Sequence, residues 1–493
     1  MTNNPINMLR DISSGSLHCE YLVIGSGAGG AVAGFDLARA GREVVVLEEG
    51  ELYSAEHFKK GIGKLTSLLY RGGGVTPFLG RPPVAFVEGC CVGGGTLING
   101  GLVWRTPRRV LDQWRKEFGL IGYGYEDLEP HFKKIEELLN VTYSQTGDHD
   151  IDSAVIKQAC DSLGWKNVPV PRAVKDCKHD NRCPTGCASS AKISVVESYL
   201  SEASRSGARV LAGYKAIRII PLRSGQHEIH CAGAGPGAGD LKIISDRVVL
   251  AGGATQTPFL LRKSNISKTA GRKLWFHINI KVVATFDQRI NASNGTMFTV
   301  QVQEFEDEGL LMMASNWQPH YMAATLSHLG SKAIDDVLRD YDRSALYVAQ
   351  VRAKSLARVM NVGGNAPFVW YQLDKKDIPA VHAALSRLGN LLFAAGAKTL
   401  YLPLSGSSPV HSMQELESEL NKSRISDFKL VSMHAMGSCS MGGPDAVIAQ
   451  DGTLAGHPGI MVADASALPS NIGESPQGTI MAFAHEIMKR HIK

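Results

Sequence analysis

The chain's 493 residues are 44% hydrophobic and 20% charged, and 52 glycines stand against 21 prolines, values that exclude a disordered chain, a fibre or a repeat and favour a loop-rich enzyme. Lys and Arg number 52 and Asp and Glu 47, a net charge of +5 with no basic run, which argues against nucleic acid as a partner and for a small, neutral substrate. No stretch approaches the roughly 18 consecutive apolar residues of a membrane span.

The N-terminal MTNNPINMLRDISSG has no basic segment leading into an apolar one, and nine cysteines is an odd number for a disulfide framework. A cytoplasmic protein with mostly reduced thiols is therefore expected. In chain order, residues 20–50, EYLVIGSGAGGAVAGFDLARAGREVVVLEEG, read as strand, glycine turn, helix and a second strand ending in Glu48. Helical periodicity covers 126–139, and 247–253 (RVVLAGG) is a short buried strand. Segments 278–287, 296–304, 308–316, 345–352 and 367–372 have strand lengths and are rich in Val, Phe, Tyr, Thr and Met. Helices at 126–139, 331–341, 378–395 and 412–423 are expected to cover the sheet these strands form on one side. Residues 457–464 (HPGIMVAD) read as a last buried strand.

The predicted class is α/β. A Rossmann-like domain built from 1–105, 200–265 and 430–493 is interleaved with an α+β substrate domain, 106–199 and 266–429, on a largely antiparallel sheet.

Gly25, Gly27 and Gly30 form G-x-G-x-x-G directly after a strand and at a helix start, with Ser26 and Ala28 inside the turn. Backbone N–H groups and the helix N-terminus can there meet a pyrophosphate. Glu48, 23 residues after Gly25, suits a carboxylate accepting hydrogen bonds from an adenosine ribose. This pattern alone does not separate NAD from FAD.

A second glycine cluster, EGCCVGGGTLINGGLVWRTP, separates them. Together with VVLAGGATQTPFLLRKS at 248–264 and the stretch 434–493, beginning HAMGSCSMGG, it resembles the glucose-methanol-choline (GMC) family of FAD-dependent alcohol oxidoreductases. The resemblance covers both ends and the strand near 250; the middle matches loosely. It implies that the ADP half of FAD lies against Gly25–Gly30 and Glu48, and that Gly94, Thr96, Asn99 and Gly100 approach the flavin. Gly252, Ala254, Asp464 and Ala465 are implied near the cofactor as well. Some members tether flavin to a histidine just before that asparagine; here Ile98 stands there, so non-covalent FAD is expected.

His434 falls on the family's active-site histidine, implied to take the hydroxyl proton while the α-carbon hydride leaves for flavin N5. The position of a usual second histidine or asparagine holds Ser475, placed with the catalytic residues. Ser475 followed by Pro476 also reads as an N-cap and first helical residue, the hydroxyl bonding a backbone N–H two or three residues on. In that case His434 is expected to work with only a weak partner, or another side chain such as Glu474 or Gln477 to supply the second polar contact. The same helix start, near Gln477 and Gly478, would face the flavin pyrimidine edge. His277, at the start of an apolar strand pattern, reads as structural.

Cys177, Cys183 and Cys187 lie within eleven positions, open to an iron-sulfur cluster, to zinc with His179, or to a plain cysteine-bearing loop over the flavin. The plain loop, with no metal, is the reading adopted.

The expected activity is oxidation of an alcohol to an aldehyde or ketone, with electrons passed to dioxygen, a quinone or a redox protein. Two alternatives are a flavoprotein subunit of an electron-transfer complex with an iron-sulfur cluster and a GMC-type lyase with non-redox FAD.

Overall fold

The computed structural model describes residues 6–9, 16–144, 150–234, 239–316 and 318–492. β1 (Ser16–Ile24) leads through a glycine turn to α1 (Ala28–Arg39) and then β2 (Val44–Glu48). β1 ends in four buried residues and β2 is buried throughout, as expected of strands covered on both faces. The chain rejoins this sheet far downstream as Arg209–Ala212, a hairpin of Tyr214–Pro221 and His227–Gly233, and β3 (Leu241–Leu250). The order is Thr453–Leu454, His457–Val462, β3, β1, β2, Arg209–Ala212, with the hairpin attached to β3. β3, β1, β2 and their neighbours His457–Val462 and Arg209–Ala212 all run parallel. The strands near 24, 48, 250 and 460 thus share one sheet, as the sequence predicts. The hairpin has no counterpart there, because its half-exposed residues form no continuous apolar run.

α2 (Gly253–Lys263) follows β3 and leads to β4 (Leu274–Phe286), a long strand of a second, ten-stranded sheet. β4 pairs antiparallel with β5 (Ser344–Met360), and Leu310–Ala314, Val300–Val302 and Asn167–Pro169 follow in order. Among the described strands of this sheet only Val84–Phe86 and Leu430–Ser432 pair in parallel as a ladder, so the sheet is largely antiparallel as expected. Both lie in segments 1–105 and 430–493 yet join the second sheet, where β4 offers an edge to Leu430–Ser432.

Two helix placements differ from the sequence reading. The helix Tyr125–Leu138 packs against α3 (Gln477–His491), with His131 Nε2 3.1 Å from Glu486 Oε2, instead of on the second sheet. The remaining helices cover that sheet on both sides. Ile278, Ile280 and Val282 of β4 share a core with Val381, Leu385 and Leu388 of Asp377–Ala394. Val283, on the opposite face, packs with Met322 and Leu326 of Pro319–Leu326 and with Ala333 and Val337 of Ser331–Arg339. Periodicity reveals an apolar stripe but not the surface it will meet. Among the described residues no helix is long and apolar enough to cross a membrane.

The first sheet's upper edge depends on glycine. Gly25 has φ +106°, and a Cβ there would lie 2.2 Å from the Ala251 carbonyl oxygen. A Cβ on Gly29 would lie 1.8 Å from the Ala463 oxygen, a contact only backbone movement relieves. Gly29→Ala is predicted to destabilise the protein by about 1–3 kcal/mol, read by urea or thermal denaturation; an unchanged transition would show that this approach is not tight.

Candidate active site

The strand ends and glycine turns enclose a cavity of about 990 Å³. Gly25, Ser26, Gly27 and Ala28 form one wall, at the N-terminus of α1. Gly30 is not on this wall: its Cβ position lies 1.9 Å from the Gly25 oxygen, so this glycine lets the helix sit against the strand. Gly27 is the reverse case, since a Cβ there meets nothing within 4 Å. Space is therefore kept open where a pyrophosphate would approach the helix end.

Glu48 borders the same wall and is 8% exposed. Its Oε2 accepts from Ser26 N at 3.0 Å and Ser26 Oγ at 2.6 Å, and its Oε1 from Gly50 N at 3.0 Å. Burial raises its pKa against the pull of these donors. Ser26 Oγ in turn accepts from Gly93 N at 3.0 Å, tying the first glycine turn to the second glycine cluster. A carboxylate has about four acceptor sites, so Glu48 retains capacity toward a ribose hydroxyl.

Gly94, Thr96, Asn99 and Gly100 line the cavity. The Thr96 hydroxyl donates to Gly93 O at 2.7 Å and so braces the turn. Asn99 Nδ2 donates to Gln477 Oε1 at 2.5 Å while its Oδ1 accepts from Gly101 N at 2.9 Å. Two buried cations hold this loop from behind. Lys192, 3% exposed, donates to the carbonyls of Leu97, Asn99 and Cys183 at 2.6, 2.9 and 2.8 Å, and Arg172, 1% exposed, donates twice to Gly100 O. Neither is singled out by the sequence.

From the third side come Gly252, Ala254, Asp464 and Ala465, all lining residues. Asp464 Oδ2 accepts from Gly253 N and Thr257 Oγ at 2.8 and 2.5 Å, and its Oδ1 from Ser466 N and Oγ at 2.7 and 2.5 Å. The Ala254 carbonyl accepts from Ser438 Oγ at 2.6 Å, and Ala465 O from Gly437 N at 2.9 Å. Apart from Gly30, the residues expected at FAD thus converge on one cavity, and the donor set and open Gly27 fit that group.

His434 lines the cavity where the two sheets meet. Its Nδ1 lies 3.0 Å from Nδ1 of His277, which is fully buried. Gly473 N donates to His277 Nε2 at 3.1 Å. The neutral His277 therefore carries its proton on Nδ1 and donates it to His434, leaving His434 protonated at Nε2. Burial pushes the His434 pKa down to about 4, and burial together with the neighbouring His434 takes His277 well below its ordinary value. The second polar contact expected from Glu474 or Gln477 is instead the histidine read as structural. Gln477 is engaged with Asn99, and Glu474, 3% exposed with its pKa raised to about 7 by burial, accepts from Gln301 and Gln303. The missed signal was the alternation along β4: His277, Asn279 and Lys281 are polar in an otherwise apolar buried strand.

Ser475 lines the cavity, but it is not the helix cap: α3 begins at Gln477, Pro476 takes the N-cap position, and no side chain caps it. Gly478 faces Trp104, whose oxygen would lie 2.3 Å from a Cβ, while Pro476, Gln477 and Ile480 of the helix start border the cavity. Cys177 Sγ is 3.7 Å from Thr296 Oγ1, Cys183 Sγ accepts from Arg172 at 3.4 Å, and Cys187 Sγ lies 3.3 Å from Ser189 Oγ. Among the described residues no three His, Cys, Asp or Glu side chains converge as a metal site.

Comparison with known proteins gives consistent findings. The N- and C-terminal models of the GMC oxidoreductase family match residues 66–279 and 365–484. An uncharacterized GMC-type oxidoreductase of Mycobacterium tuberculosis (strain ATCC 25618 / H37Rv) is 34% identical over 94% of this chain and 74% of its own length. A long-chain-alcohol oxidase of Arabidopsis thaliana is 27% identical over 99% of this chain and 70% of its own. The crystal structure of pyridoxine 4-oxidase from Mesorbium loti superposes with a TM-score of 0.73 at 15% identity, covering 96% of this chain and 99% of that one.

Gly27→Ala places a methyl group in open space, so the melting of cofactor-free protein is predicted to stay unchanged while FAD content on purification falls. Full FAD content in this variant would remove Gly27 from the cofactor wall.

Proposed function

The chain belongs to the GMC oxidoreductase family, and from that premise we propose that it oxidises an alcohol CH–OH group to an aldehyde or ketone. It is an FAD-binding oxidoreductase; the alcohol, the acceptor of the electrons and the roles of single residues are the reading advanced here. When bound, FAD supplies the hydride acceptor. The observation that carries the reading is the neutral imidazole pair His434–His277 on the cavity in which the cofactor-fitting residues converge.

His434 Nε2 faces the alcohol oxygen. In the resting tautomer it donates a hydrogen bond and orients the hydroxyl. It accepts the hydroxyl proton in the other tautomer, with His434 Nδ1–H donating to His277 and the His277 proton on Nε2. That state gives up the Gly473 hydrogen bond at a cost of about 1–3 kcal/mol. Ser475 and Asn279, both on the cavity wall, frame the oxygen from the other sides. His434 takes the hydroxyl proton, and bound FAD would take the hydride from the carbon, with dioxygen, a quinone or a redox protein as the acceptor that would receive its electrons. Ile98, 9% exposed and aliphatic, offers no atom for a covalent flavin link, which supports dissociable FAD.

His434→Ala is predicted to slow alcohol-driven flavin reduction on the order of 10²–10⁴-fold. His277→Phe is predicted to slow it by less, with FAD content unchanged. Because burial disfavours the imidazolium, acidification of the unaltered enzyme should lose rate around pH 4 and not around the ordinary 6.5. An unaffected rate in His434→Ala would remove it as the base. Acid precipitation should release all FAD into the supernatant; flavin retained in the pellet would contradict non-covalent binding.

A further inference from the structure

Ile278, Ile280 and Val282 of β4 face the helix Asp377–Ala394, so His277, Asn279 and Lys281 project from the other face. That face is the floor of the cavity, which Asn279 and Lys281 line. The row starts at the reacting end, where His277 bonds His434, and reaches Lys281 four residues on, about 13 Å along the strand. Asn279, midway, has a buried Nδ2 with no hydrogen-bond partner. Lys281 is 5% exposed; its ammonium donates to the Tyr321 hydroxyl and lies 4.4 Å from the centre of that ring.

The charges around the cavity are divided. Its bordering acids, Glu48, Glu49, Glu88 and Asp464, all lie on the cofactor half and are engaged there. Glu49 pairs with Arg71 and Lys215, Glu88 pairs with Arg71 and accepts from Thr255, and Glu48 and Asp464 hold backbone turns. The lining residues of the second sheet and its helices include Lys281 and, nearer solvent, Lys429, and among the described residues no carboxylate. An ammonium has three N–H donors, and one removed from water without a counter-charge is costly until something supplies the opposite sign.

We propose that the alcohol taken by this cavity also carries a carboxylate, and that Lys281 is the residue that selects it. This rests on the alcohol-oxidising reading above. One buried ammonium matches one negative charge, which favours a carboxylate over a doubly charged phosphate. Val348, opposite Lys281 in register, and Met313 beside it are apolar lining residues, so the two ends of the substrate are joined by an apolar spacer. Asn279 Nδ2 donates to the oxygen at the reacting end. The hydride goes to FAD and the hydroxyl proton to His434, leaving an oxo acid whose carboxylate is unchanged.

The test is anaerobic flavin reduction in the purified holoenzyme by ω-hydroxycarboxylates of increasing chain length, each beside its methyl ester and the matching 1-alkanol. One acid is expected to show an apparent KM at least about tenfold below its ester and alkanol. Lys281→Met should remove that preference and Lys281→Arg retain it. If Lys281→Met does not fold, acid against ester on the unaltered protein decides. Esters or alkanols that serve as well as acids overturn the carboxylate proposal and leave alcohol oxidation standing. Flavin that no alcohol of any class reduces overturns both.

Discussion

Three stretches of chain that are hundreds of residues apart meet at distances that no side chain allows. Gly25 lies against Ala251, Gly29 against Ala463, and Gly30 against Gly25 itself, each with a carbonyl oxygen where a Cβ would stand. This contact brings the ends of β1, β3 and His457–Val462 to one edge of the parallel sheet, the place where open α/β sheets bind ligands. The Glu48–Ser26–Gly93 chain of hydrogen bonds then hangs the second glycine cluster on that edge. The buried Lys192 and Arg172 hold the Asn99 turn from outside.

Much of this was legible in the sequence, for physical reasons. Gly25, Gly27 and Gly30 announce a turn by spacing alone, and β2 announces itself as an unbroken apolar run ending in Glu48. The parallel sheet follows, because buried parallel strands have no polar face to confuse the pattern. The partner of His434 was harder. His277 is read from sequence as one polar residue in an apolar strand, and only the meeting of β4 with the segment after Leu430–Ser432 brings the two rings together. Ser475 misled through local rules: a serine before proline suits a helix start, yet the helix begins two residues later at Gln477. The direction taken by the helix Tyr125–Leu138 lay outside any local signal, since its apolar stripe suits α3 as well as a sheet.

Net charge does not describe the cavity. A balance of +5 spread over the surface points to a neutral substrate, but charge at a buried site is a local quantity. On the cofactor half Glu48 and Asp464 hold N–H groups of tight turns and Glu49 and Glu88 pair with Arg71, while the buried ammonium of Lys281 stands on the other side. The imidazole pair sits at the boundary, uncharged because burial penalises the protonated ring. A neutral ring is able to give or take one proton as its tautomer changes, which is what the proposed alcohol oxidation would ask of it.

The most direct measurement of the central claim is the absorbance spectrum of the purified protein, recorded anaerobically before and after addition of alcohols from several classes. The account predicts oxidised flavin bands that bleach with at least one class and return when an electron acceptor is admitted. Protein that purifies without flavin and takes none up would contradict the assignment of the glycine-lined cavity. Bound flavin that no alcohol bleaches would leave the cavity assigned and contradict the oxidation chemistry given to His434 and His277.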